Sequence, residues 1–401
     1  MTAATRPLSA REATPPLAPP LHPDIGVVGL VTDVWTPHFW MARHQILTRL
    51  GRWFQVAWVD RAPDWRDAWG RGAGHPRART GASTVPGLPP GFVVFRPGRW
   101  LPAVHRPDAL RRWLGRARLR AAMRLLRRRG ARRIVYYLWR PEFAWALRVP
   151  GACGSIYHVV DEYTFSTADP PVSEHEAGLL RAVDRVVVHT EALREKRGGF
   201  NPNTSLIPNG VDFAAFAEPR PIPDDLARIP GPRVGYVGFL KKTLDVPLVL
   251  DLARRHRSWS FVFVGRDHLP ADAAAALGGH ANIHLLGERT GRELPAYVQH
   301  MDACILPYVI DGYTKYIYPL KLHEYLAAGR PIVATPIRAL LDFGDVITLA
   351  TTVEEWSAAL TATLAAGADP AAEAQRREVA RAHDWDGLVK QIAELVRELA
   401  R

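Results

Sequence analysis

Residues Tyr313–Pro336 read YTKYIYPLKLHEYLAAGRPIVATP. Pro319 suits the first turn of a helix, where its missing N–H costs nothing, and Gly329 suits the position just past the helix end. Pro331 bars continuation, Ile332-Val333-Ala334 has the composition of a short buried strand, and Pro336 ends it. The stretch is a helix, a tight turn and a strand. Lys321 and Glu324 are three residues apart and share a helix face, while Leu322 and Leu326 form an apolar pair on another. A cation in the first turn, beside unpaired backbone N–H groups at the positive end of the helix dipole, makes a place for a diphosphate. A carboxylate one turn deeper can accept hydrogen bonds from the two vicinal hydroxyls of a ribose. Spacing alone also allows an ordinary solvated pair.

The whole string is more specific. Pro319, Lys321, Glu324, Tyr325, Ala327, Gly329, Pro331, Val333 and Ala334 fit the pattern P-x-K-x-x-E-Y-x-A-x-G-x-P-V-V-A. The segment resembles the donor-nucleotide segment of GT-B-fold glycosyltransferases, especially bacterial family-4-like enzymes and their relatives in teichuronic-acid and exopolysaccharide assembly. A second landmark, LIPNGVDFAAF at Leu206–Phe216, supplies a tight turn at Asn209-Gly210 and a helix cap at Asp212. It is similar to the I-P-N-G-V-D-x-x-x-F that closes the N-domain of those enzymes. The resemblance implies an α/β GT-B fold, two Rossmann-like doubly wound domains facing a central cleft, with a C-terminal helix crossing back to the N-domain. Expected boundaries are a disordered tail over 1–23, an N-terminal acceptor domain over 24–218 and a proline-dense linker over 219–231. A nucleotide-sugar donor domain over 232–380 and a terminal helix over 381–401 complete the chain.

Composition agrees with a two-domain globular chain: 401 residues, 47% hydrophobic and 23% charged. No apolar run reaches the roughly eighteen residues of a membrane span, and the first residues lack a signal-peptide core, so a cytoplasmic location is expected. Cys153 and Cys304 are far apart and outside any His/Cys cluster, which argues against a disulfide framework or a zinc site. The net charge of +12 is concentrated in DALRRWLGRARLRAAMRLLRRRG, residues 108–130. Leu110, Trp113, Leu114, Ala117, Ala121 and Leu125 recur there at helical intervals among arginines. This basic amphipathic helix reads as a contact with an anionic membrane surface, at the inner face of the cytoplasmic membrane, or as a solvated helix. No nucleic-acid-binding motif accompanies it.

Apolar runs at Ile25–Thr32, Gln55–Val59, Phe92–Phe95, Arg133–Leu138, Ile156–Val160 and Arg185–His189 read as N-domain strands. Those at Val234–Val237, Phe261–Val264, Ile283–Leu286 and Cys304–Pro307 read as C-domain strands. Ligands of parallel sheets lie at the carboxyl ends of strands. The loop after the first strand offers Asp33, Trp35, His38, Trp40, Arg43 and His44 on the acceptor side. Residues 61–91 form a long excursion, a candidate acceptor loop. Asp161 stands at a strand end, placed either to take a proton from an acceptor hydroxyl or to cap the next helix. The resemblance adds that relatives carry an acid there, the proposed base of an inverting subgroup, and that a His such as His158 is found beside the donor sugar. Gly238 lets backbone approach a ligand, and Lys241 or Lys242 could reach a diphosphate. Gly265, Gly287 and Arg289 belong to turns that could read a nucleobase, and Tyr308, Tyr316, Pro319 and Leu320 to the loop over the donor sugar.

One departure matters: many retaining family-4 enzymes carry a second Glu eight residues before the one at Glu324, and Tyr316 stands there. Retention or inversion is therefore left open. Asp384-Trp385-Asp386 spells the metal-binding D-x-D of the other glycosyltransferase fold, but at the start of a terminal helix. The resemblance implies no metal and no cofactor besides a nucleotide-sugar co-substrate, a UDP- or GDP-sugar. No P-loop, G-x-S-x-G or Cys/His nucleophile pair is found. The sequence thus leads to sugar transfer onto a cell-envelope or lipid-linked acceptor. A GT-B nucleotide-sugar epimerase and a non-catalytic nucleotide-sugar-binding relative are the alternatives.

Overall fold

The structure, a computed structural model, describes residues 18–38, 40–65 and 81–401. Residues 1–17 of the expected tail and 66–80 of the expected excursion lie outside this description. Eight strands form the first sheet: β1 His22–Leu30, β2 Phe54–Val59, β3 Gly81–Ser83, β4 Phe92–Arg96, β5 Arg133–Leu138, β6 Gly154–Val159, β7 Arg185–Val188 and β8 Thr204–Leu206. Their spatial order is β3-β4-β2-β1-β5-β6-β7-β8. Every pairing is parallel except that of the short edge strand β3 with β4. Val27 and Val28 in β1 are fully buried on opposite faces, as a strand covered by helices on both sides requires. β1 starts at His22, so the last two residues of the expected tail are strand, hydrogen-bonded through His22 N to Trp53 O at 2.7 Å.

The second sheet holds β9 Arg233–Val237, β10 Ser260–Val264, β11 Ile283–Gly287, β12 Ala303–Leu306, β13 Ile332–Ala334 and β14 Thr348–Leu349. Their order is β11-β10-β9-β12-β13-β14, all parallel. In each sheet the chain turns back on itself beside the first strand, between β1 and β5 and between β9 and β12. Such switch points open crevices at the carboxyl ends of the strands.

Eight helices position the cleft and join the domains: α1 Ala42–Leu50, α2 Asp108–Arg128, α3 Glu174–Ala182, α4 Glu191–Arg197, α5 Val246–Arg255, α6 Leu320–Ala327, α7 Pro370–Ala382 and α8 Trp385–Leu399. α7 belongs to the C-domain, where Arg376 Nε donates to Gly329 O at 2.9 Å. After a break at His383-Asp384, α8 starts at Trp385, four residues after the expected start of the terminal helix, because Asp384 caps it by accepting from Asp386 N at 2.8 Å. α8 then crosses to the N-domain, burying Trp385, Leu388, Val389, Ile392 and Val396 in one cluster with Val27, Ile46 and Leu50. The two crossings run side by side: Val211 N donates to His383 O, and Trp385 N to Val211 O, both at 3.0 Å.

α2 divides the apolar positions read from its sequence between the core and the surface. Its buried stripe is Leu114, Gly115, Leu119, Ala122, Met123 and Leu126, while Trp113 is 59% and Leu110 41% exposed. Gly115 lets the helix meet the face of Trp145, which turns the Leu110/Trp113 side outward.

Candidate active site

The cleft is organised by β9 and the turn after it. Gly238 has φ +138° and Gly265, after β10, has φ +152°, values that an L side chain rarely adopts. A Cβ on Gly265 would overlap the carbonyl oxygen of Gly238, and one on Gly238 would overlap Cε of Lys321. The backbone turns and the lysine thus share one small volume. Gly238 N donates to Val264 O at 2.7 Å and Gly265 N to Gly287 O at 2.9 Å, lacing the three strand ends together.

Pro319 precedes α6 as its cap, and Leu320 begins the helix and packs on the N-domain core. Lys321, in the first turn, lies 4.6 Å from the ring centre of Tyr236 and 6.0 Å from that of buried Tyr308. Glu324, one turn on, is partly buried, and among the described residues its carboxylate has no hydrogen-bond partner. Burial pushes this carboxyl up to about 7, with Lys321 pulling the other way. Lys241 is separated from Lys242 by direction. Burial and the nearby charge of Lys321 lower the Lys241 ammonium, and Asp161 opposes them. Lys242 instead points away, its Nζ donating to Phe165 O at 3.4 Å.

Across the cleft Asp161 lies two residues past the end of β6. Its Oδ1 accepts from Glu162 N at 2.9 Å and its Oδ2 from the Tyr313 hydroxyl at 3.0 Å, an interdomain hydrogen bond. Burial raises its carboxyl, and Lys241, Tyr313 and Arg140 hold it down. His158 is not beside it. The ring is 1% exposed, stacks on Trp139 with centroids 4.5 Å apart and lies 2.8 Å from the Tyr137 hydroxyl; burial and His189 hold it neutral. An inward-facing position on an interior strand seats this histidine in the core.

The acceptor-side residues divide. Asp33 and Arg43 pair with each other, and Trp40 packs on Trp35 at the rim, centroids 6.0 Å apart. His38 is exposed, and its carbonyl accepts from Gly291 N of the C-domain at 3.0 Å. His44 is 2% exposed against Trp58, and burial drives it down to about 3. It faces the core because it shares the inner side of α1 with Leu47. The Arg289 guanidinium donates to Asp225 Oδ2 at 2.6 Å and to the Tyr297 hydroxyl at 2.7 Å, tying the linker to the C-domain. Gly287 lies at the end of β11 with its carbonyl on Gly265.

Tyr316 does not line the donor side either. It is 3% exposed, and its hydroxyl donates to Asp169 of the N-domain at 2.8 Å. Asp169 also accepts from Lys196 at 2.6 Å and Lys315 at 3.2 Å. Below it Arg197, wholly buried, joins Glu162 at 3.0 Å and Glu176 at 2.8 Å. No sequence pattern signals this network, because its members come from four separated segments. The D-x-D pair is structural: Asp384 accepts from Phe213 N at 3.0 Å, and Asp386 pairs with Arg49 at 2.8 Å and Arg52 at 2.6 Å.

Two Rossmann-like sheets, with lysines gathered at the switch point of one and an acid just past a strand end of the other, define a GT-B fold. Residues 231–366 match the family described as Glycosyl transferases group 1. The chain is 29% identical over 213 residues to "Putative teichuronic acid biosynthesis glycosyltransferase TuaH" of Bacillus subtilis (strain 168). That similarity spans 51% of this chain and 53% of the relative, about half of each. Among solved structures, apo OtsA superposes with a TM-score of 0.64 at 12% identity, covering 93% of this chain and 98% of that one. WaaG, a glycosyltransferase involved in lipopolysaccharide biosynthesis, gives 0.59 at 15%, covering 93% and 99%. An E. coli structure described as trehalose-6-phosphate bound with UDP-2-fluoro glucose gives 0.62 at 13%, covering 93% and 98%. At these identities the structures share the fold.

Proposed function

We propose that this chain is a glycosyltransferase that moves a sugar from a nucleotide sugar to a cell-envelope polysaccharide or lipid-linked acceptor. The observation that carries the reading is the meeting of Lys321, Lys241 and the Gly238 turn at the switch point of the second sheet, with the buried Glu324 carboxylate one turn beyond. In the reaction the acceptor hydroxyl oxygen bonds to the anomeric carbon, and the bond from that carbon to the diphosphate oxygen breaks with its electron pair. The hydroxyl proton passes to Asp161. Lys241 and Lys321 balance the charge that develops on the leaving diphosphate, the largest electrostatic demand of the step. Glu324 accepts from the ribose hydroxyls. A uridine or guanosine diphosphate sugar suits this crevice.

TuaH, by its description, works in teichuronic acid biosynthesis, which supports an envelope acceptor. The exposed Trp113 and Leu110 among the arginines of α2, with Trp100 67% exposed on the loop before it, support docking on an anionic membrane surface. No helix among the described residues is long and apolar enough to cross a membrane.

The test is nucleoside diphosphate release from a panel of nucleotide sugars with and without envelope acceptors, alongside thermal stabilisation by each nucleotide. Lys321→Ala and Lys241→Ala are expected to lower release at least about tenfold, in line with loss of a charge-assisted contact to the leaving group, and Lys242→Ala by less than about threefold. If no nucleotide diphosphate stabilises the protein, the reading fails. Release that ignores the acceptor, with epimerised sugar, would favour an epimerase.

A further inference from the structure

The N-domain loop between Asp161 and Asp169 is held by the C-domain at both ends and in the middle. Tyr313 donates to Asp161, and Tyr316 and Lys315 donate to Asp169. Between them Gly312 N donates to Thr167 O at 3.1 Å, and the Phe165 ring lies 5.5 Å from that of Tyr313. A Cβ on Gly312 would overlap Thr167 O, so only glycine permits the approach. Phe165 and Asp169 adopt φ of +50° and +47°, costly for a bulky residue unless the surroundings dictate it.

We propose that Tyr313 is a positioning residue for Asp161: closure of the two domains delivers its phenol to Oδ2 and prepares the carboxylate to receive the acceptor proton. This rests on the transferase reading. With Glu162 N on Oδ1 and Tyr313 on Oδ2, each carboxylate oxygen is oriented by one donor and keeps a free lone pair. The charged and titratable groups that face Asp161 are Lys241 from the turn after β9, Arg140 from the turn after β5, Tyr163 on its own loop, and Tyr313 itself. In an open cleft Lys241 and Tyr313 recede together, so the acid is left to its burial and binds its proton more tightly. Closure thus couples the ionised form of Asp161 to the arrival of the donor domain. Tyr313 is 4% exposed and makes no other side-chain hydrogen bond among the described residues, which leaves Asp161 as its polar purpose.

The experiment titrates the full chain carrying 13C-carboxyl aspartate by NMR, the Asp161 resonance being assigned by its loss in Asp161→Asn. Tyr313→Phe keeps the ring against Phe165 and removes one donor to a charged acceptor, so the Asp161 pKa is expected to rise by about one unit. Tyr316→Phe, which removes one donor to Asp169 and leaves Lys315 to hold that end of the loop, is expected to leave it in place. Where transfer is measured, the acid limb of kcat/KM moves up with Tyr313→Phe and stays with Tyr316→Phe. An Asp161 pKa unmoved in Tyr313→Phe, or moved equally in both variants, overturns the proposal. If Asp161→Asn retains transfer with its acid limb intact, the failure lies instead in the assignment of Asp161 as proton acceptor.

Discussion

Glu324 and Lys321 were legible because a helix fixes which side chains share a face from spacing alone. Lys241 and Lys242 were not separable, since neighbours in an irregular turn diverge in directions that only the fold sets. His158 and His44 lacked any sequence mark of burial: a histidine on a central strand or an inner helix face reads the same as one in a cleft. Glu324 has a consequence for pH. Its folded value, about 7, lies above that of a free carboxyl, so the folded state holds the proton more tightly than the unfolded one. The ionised form therefore weighs against stability as pH rises through about 7. In the proposed ribose contact the hydroxyls would donate to the ionised form, so affinity for a nucleotide sugar, whose doubly esterified diphosphate does not titrate near neutrality, should rise between about pH 6 and 8. Glu324→Gln should flatten that rise and weaken binding at pH 8 by about tenfold, while raising thermal stability there. Calorimetry across pH checks both; a wild-type affinity that does not change over the range would remove Glu324 from the ribose site.

Strands buried on both faces announced themselves as continuous apolar runs, which is why β1, β5, β6, β9 and β10 were legible. The short edge strands β3, β8 and β14 were not, since two or three residues paired on one side carry no pattern. α2 was legible as a basic helix but not in its rotation. Apolar residues occur on more than one face, and the one chosen for burial is the one Gly115 allows close to Trp145. Leu110 and Trp113 stand exposed with Arg111 and Arg112 beside them, all within the projecting first two turns. In flotation with vesicles of mixed anionic and neutral lipid, the protein should partition with the membrane. Leu110→Ser with Trp113→Ser should lower that partition about tenfold or more, from loss of two apolar groups worth about 1 kcal/mol or more each at an interface. Folding should be untouched, because neither side chain reaches the core. Equal flotation of the double variant would leave α2 a solvated helix.

At the scale of the whole molecule the two domains meet through polar contacts at the cleft and through the apolar embrace of α8 behind it. α8 is buried in the N-domain core and the chain crosses between the domains at the Val211–Asp384 bridge, a place suited to serve as hinge were the cleft contacts to open. Among the cleft-side contacts, Lys315 and Tyr316 of the C-domain meet at Asp169, and Arg338 pairs with Glu195 at 2.6 Å. The cations and the Tyr316 hydroxyl around Asp169 hold its carboxyl down at about 2. A folded value below the free one means that its contribution is fully present above about pH 4 and is lost as pH falls through about 2, so the clasp is intact at neutrality. Asp169→Asn keeps the shape and removes the charge that Lys196, Lys315 and Tyr316 share. The variant should populate an open form, seen as a larger radius of gyration in solution scattering, and a nucleotide sugar should draw it back toward the wild-type value by binding both faces of the cleft. The loss should appear chiefly as a raised KM for the donor, because closing the cleft then consumes part of the binding energy, while kcat at saturation changes less. A radius identical to wild type without ligand would show that the clasp follows closure and does not hold it.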